Sequence, residues 1–83
     1  MGRLRTMKTV KISLNSIDKV KAFVNDVTKF STDFDLVSGR YVIDAKSIMG
    51  IFSLDLSKAI DLNIHDDDNT DEILKALEPY IVE

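Results

Sequence analysis

The one imidazole in this 83-residue chain is His65, and three aspartates follow it, Asp66, Asp67 and Asp68. A histidine beside carboxylates is donor material for a metal ion, but a metal site needs several ligands that converge. Side chains on adjacent residues diverge, and no second histidine and no cysteine joins this group. His65 is therefore read as structural or solvent-exposed. The acidic run also lacks the D-x-D-x-D-G spacing of a calcium loop. It reads as a solvated loop whose charge favours the positive end of the helix that follows. No metal and no other cofactor is expected. A serine nucleophile would have only His65 for a base, which is thin support for acyl-transfer chemistry. Gly39 and Gly50 stand apart, so no glycine-rich phosphate loop exists. Without cysteine there is neither thiol catalysis nor a disulfide framework. The chain is not expected to be an enzyme.

Two features outlast these exclusions. Ser47 stands just before Ile48-Met49-Gly50-Ile51-Phe52, where its hydroxyl can cap a short helix, and Lys46 precedes it. That helix is dense in apolar residues and has no clean polar face. Ile48, Met49, Ile51 and Phe52 are read either as core or as a docking patch, methionine and phenylalanine being adaptable and energetically weighty contacts.

The elements that must position these residues follow from periodicity. Val10, Ile12 and Leu14 alternate with Lys11 and Ser13, the signature of a half-buried strand. Asn15 or Ser16 can cap a helix, along which Ile17, Val20, Phe23, Val24, Val27 and Phe30 form an apolar stripe. Lys19, Lys21 and Asn25 face water. Phe34 and Leu36, then Tyr41, Val42 and Ile43, read as a hairpin about Ser38-Gly39-Arg40, with Gly39 supplying a positive φ. Ile60, Leu62 and Ile64 alternate with Asp61, Asn63 and His65 in another strand. Asn69 or Thr70 opens a last helix that buries Ile73, Leu74 and Leu77 and ends or kinks at Pro79. Tyr80 and Ile81 are expected to pack beyond it. The order is βαββαβα. Helices on one face of a four-stranded, mostly antiparallel sheet bury all these stripes at once.

Eighty-three residues suffice for one domain. Residues 1–7 read as an N-terminal extension and 8–83 as the domain. A net charge of −3, with scattered lysines and arginines, disfavours nucleic acid as a partner. No apolar run approaches the ~20 residues of a membrane span, and no signal peptide is read, so no membrane partner and a cytoplasmic location are expected.

The segment Lys46-Ser47-Ile48-Met49-Gly50-Ile51-Phe52-Ser53-Leu54 closely resembles the KSIMG-x-x-SL segment of the phosphocarrier protein HPr family. Val27-Thr28-Lys29-Phe30, Phe34 and Leu36 resemble the end of that family's first helix and its second strand. The resemblance runs from about Lys8 to Tyr80. It implies an α+β, open-faced β-sandwich, in agreement with the order read above. In the family, a G-I-H-A-R-P segment carries the phosphorylatable histidine and a supporting arginine. The matching stretch here is Leu14-Asn15-Ser16-Ile17-Asp18-Lys19-Val20. An ungapped alignment sets Ser16 at the histidine and Asp18 at the arginine; a shortened loop leaves no counterpart. Either way the acceptor imidazole is lost.

Ser47 matches the family's kinase-targeted serine. A phosphate there would meet backbone N–H groups and a favourable helix end. Some members of the family lack the histidine, keep the serine and act as regulators of carbon catabolite control. The resemblance thus implies a regulatory or adaptor protein related to the sugar phosphotransferase system. Ser47 is its candidate switch, and Lys46, Ile48, Met49 and Phe52 are its candidate docking residues. The implied partners are proteins: a serine kinase, and a transcriptional regulator or phosphotransferase-system protein. A binding module on the same fold without phosphorylation stays open beside it.

Overall fold

The computed structural model describes residues 8–65 and 69–82. The extension over residues 1–7 and the run Asp66 to Asp68 lie outside the described residues. Strand β1 (Lys8–Ile12) leads into helix α1 (Ile17–Val27), and β2 (Asp33–Ser38) and β3 (Tyr41–Asp44) form the hairpin. Helix α2 (Ile48–Phe52), strand β4 (Ile60–His65), helix α3 (Thr70–Ala76) and a 3-10 turn (Glu78–Tyr80) follow. The sheet order is β1-β4-β2-β3, and every neighbouring pair is antiparallel. This is the α+β arrangement that the periodicity predicts.

Period-two alternation sets the sheet's two faces. Along β4, Ile60, Leu62 and Ile64 are buried, while Asp61, Asn63 and His65 lie half-exposed on the other face. Phe34 and Leu36 pair across from Ile64 and Leu62, and Ile12 across from Ile60, which makes one apolar floor. Helix α1 covers it with Val20, Phe23 and Val27, α2 with Ile51, and α3 with Ile73. Ala45, just before α2, is fully buried as well.

Local chemistry fixes the boundaries. Gly39 takes a φ of +62° in the two-residue hairpin turn, a conformation cheap only for glycine. Ser16 caps α1 by accepting from the Lys19 N–H, and Ser47 caps α2 by accepting from the Gly50 N–H. Asn69 holds the cap position of α3, and Pro79 sits in the 3-10 turn after that helix has ended.

Two expectations need correction. Ile17 stands on the predicted stripe, yet it is 62% exposed. It is the first residue of α1, and the core begins one turn later at Val20. Phe30 is not helical. The helix closes at Thr28, and i→i−3 bonds from Lys29 and Phe30 tighten the exit. Phe30 packs instead edge-on against Phe34, with ring centroids 6.4 Å apart. Tyr41 and Val42 lie in β3, the outer strand of the predicted hairpin, and both are exposed.

Candidate functional site

The start of α1 is the position that the sequence resemblance aligns with a phosphorylatable histidine. Ser16 is extended there (φ −149°, ψ 156°), which points its hydroxyl back along the helix to accept from the Lys19 N–H at 3.1 Å. A serine oxygen in this position satisfies one of the orphan donors of the first turn. Asp18 lies in that turn. No imidazole is near. β1 and β4 pair with Ile12 opposite Ile60 and Lys8 opposite Ile64, so α1 starts at the end of the sheet where β4 begins. His65 closes β4 at the opposite end, about 17 Å away at the usual rise per strand residue. Its Nε2 stands 2.7 Å from Asp35 Oδ2, on the open face of the sheet. His65 therefore serves as a half-buried partner of Asp35.

Helix α2 follows β3, whose last residue, Asp44, pairs with Asp35 toward the His65 end, and its own last residue, Phe52, lies beside the start of α1. A groove of about 530 Å³ opens there, lined by Asn15, Ser16, Ile17, Phe52, Leu56 and Ser57. On the adjoining surface Met49 is 78% and Phe52 41% exposed. Ile48 is half-buried against the core, so it supports the patch more than it contributes area. Asp55, beside the groove, accepts from the Ser57 hydroxyl and N–H, which hold its carboxyl below the usual carboxylate range.

Ser47 is exposed, and its hydroxyl accepts from Gly50 N at 3.2 Å. The fit is close: a Cβ on Gly50 would stand 3.2 Å from that oxygen and 3.3 Å from Ile43 Cδ1. Lys46 turns away from solvent. Its ammonium donates to the Phe30 carbonyl at 2.8 Å and lies 5.8 Å from the centre of the Phe34 ring. The lysine that the sequence places beside Ser47 is thus bound to the exit of α1. This contact is between residues 16 positions apart, and nothing in the local pattern announces it.

Comparison with known proteins agrees with this geometry. A sequence model described as the PTS HPr component phosphorylation site matches residues 18–83. A search of curated proteins finds no match. Among solved structures, the chain is similar to HPr-C-His from Thermoanaerobacter tengcongensis, with 29% identity over 89% of this chain and 88% of that one and a TM-score of 0.69. It is similar to phosphocarrier protein HPr from Bacillus anthracis, with 27% identity over 93% and 96% of the two chains and a TM-score of 0.68. Crh of Bacillus subtilis shares the fold at 21% identity and a TM-score of 0.60, over 100% of both chains. With its α2 segment, sheet order and helical layer all in place, the chain belongs to the HPr family of the phosphotransferase system.

Proposed function

We propose that this chain is a regulatory or adaptor member of the HPr family that does not carry phosphate on histidine. One observation supports this above the others: Ser16 caps α1 where an acceptor imidazole would be needed, and the single histidine lies at the other end of the sheet. A serine ester at Ser16 would be a poor high-energy donor. Asp18, in the first turn, adds repulsion to any phosphoryl group there. The proposed location is the cytoplasm, as the family resemblance implies; among the described residues no helix is long and apolar enough to cross a membrane.

Ser47 is the proposed switch. Its hydroxyl is exposed and stands at a helix start, where a phosphate would find N–H donors. The proposed docking surface is Met49 and Phe52, backed by Ile48 and continued by Ile17 beside the groove. Lys46 acts from beneath, by anchoring the approach to Ser47. The partners would be a serine kinase and a transcriptional regulator or phosphotransferase-system protein.

A second reading is a binding module that docks through the same patch without phosphorylation. It is favoured by the existing use of the Ser47 hydroxyl as a cap. Intact-protein mass after incubation with ATP and an HPr-type serine kinase separates the two. A gain of one phosphoryl group, absent from Ser47→Ala, supports the switch. No gain on folded protein leaves the phosphate-independent module.

A further inference from the structure

The outer edge of β1 is partly covered by the chain's own C-terminal segment. Ser13 N donates to the Tyr80 carbonyl at 2.8 Å, and Val82 N donates to the Lys11 carbonyl at 3.0 Å. Ile12 and Ile81 form an antiparallel bridge between these bonds. Tyr80 fastens the segment. Its hydroxyl donates to Asp26 Oδ2 at 2.7 Å, and its ring meets Phe23 edge-on at 5.5 Å.

These bonds also fix which β1 groups face outward. In an antiparallel ladder, backbone groups of alternate residues point to opposite sides. Lys11 and Ser13 point away from β4, so Thr9 does too. Two copies of β1 can therefore meet antiparallel about Val10, with Thr9 of each opposite Lys11 of the other. In that register Lys8 falls opposite Ile12, and no lysine faces a lysine. The pairing needs the Lys11 carbonyl, which Val82 already holds.

We propose that the segment Tyr80–Val82 is an edge guard that keeps β1 from pairing with β1 of a second copy of this chain, and that the Tyr80–Asp26 bond is its latch. An uncovered edge strand is a template for strand addition. Strap and second copy compete for one carbonyl, so they exclude each other.

Val82→Pro removes the competing donor and touches no core residue, since Val82 is exposed. Sedimentation equilibrium should show wild type as a monomer and Val82→Pro as a concentration-dependent dimer. Adding Thr9→Pro should restore the monomer, because it removes an outward N–H that β4 does not use. Tyr80→Phe tests the latch: hydrogen exchange at the Ser13 and Val82 amides should quicken roughly tenfold, the loss expected for one hydrogen bond. Monomeric, folded Val82→Pro would overturn the proposal. So would a wild-type dimer with a protected Ser13 amide, or a dimer that survives Thr9→Pro. Unchanged exchange in Tyr80→Phe would remove the latch.

Discussion

Replacing Ser47 by alanine separates two roles of one oxygen. As a cap it satisfies the Gly50 N–H, and caps of this type are worth about 1 kcal/mol. Urea denaturation of Ser47→Ala should therefore show a loss of about that size while the domain stays folded. A larger loss would make Ser47 chiefly structural. Tyr80 offers a second test at this scale. Burial, with the Asp26 carboxylate bound to its hydroxyl, pushes its pKa from 10.0 up to about 12. The phenol is raised, so its contribution to stability is complete below pH 10 and is lost as pH climbs from 10 to 12. In Tyr41→Phe, Tyr80 is the remaining tyrosine, and its ultraviolet titration should turn near 12. Wild-type melting temperature should fall across that window more steeply than that of Tyr80→Phe. An inflection near 10 would mean that Tyr80 is neither buried nor bound to Asp26 as described.

Helix α2 carries the proposed docking surface, and its exposure decides how a variant is read. Phe52 lies at its end with 41% of its surface open, whereas Ile51 beside it is fully buried. Phe52→Glu should leave the far-ultraviolet spectrum and cooperative unfolding intact and weaken binding to a captured partner at least roughly tenfold, the effect of losing one aromatic anchor. Collapse of the fold would place Phe52 in the core. The sequence leaves this helix open between core and patch because its apolar residues have no period of their own. What splits them is the tertiary packing against β3 and α1. Elements with strong periodicity were legible at once. β4 alternates without exception, and α1 carries its stripe from Val20 to Val27. The contacts that the pattern hid all join residues far apart: Lys46 to Phe30, Tyr80 to Asp26, and His65 to Asp35. Single polar side chains have no periodicity, so only the assembled sheet and helices bring them together.

At the scale of the whole molecule, the proposed loss of histidine phosphotransfer can be tested by trying to restore it. The HPr family fold is present, and the start of α1 holds Ser16 and Asp18 where the family resemblance implies a histidine and an arginine, so restoring that pair tests the proposed loss. Ser16→His places an imidazole at the cap, beside the N–H groups of the first turn. Asp18 remains a like charge to any phosphoryl group it accepts. Asp18→Arg turns that repulsion into a bidentate, charge-assisted contact. Incubated with phosphoenolpyruvate and the general phosphotransferase-system enzyme, wild type should gain no phosphoryl group. Ser16→His with Asp18→Arg should gain one that is acid-labile, as a phosphohistidine is and a phosphoserine is not. Ser16→His alone should label more slowly by roughly tenfold, the scale of one nearby charge at a surface. Labelling of wild type would sink the proposed function at once. Failure of a folded double variant would have a narrower meaning: the loop before α1 is shortened, and no residue of this chain stands where the family's histidine does.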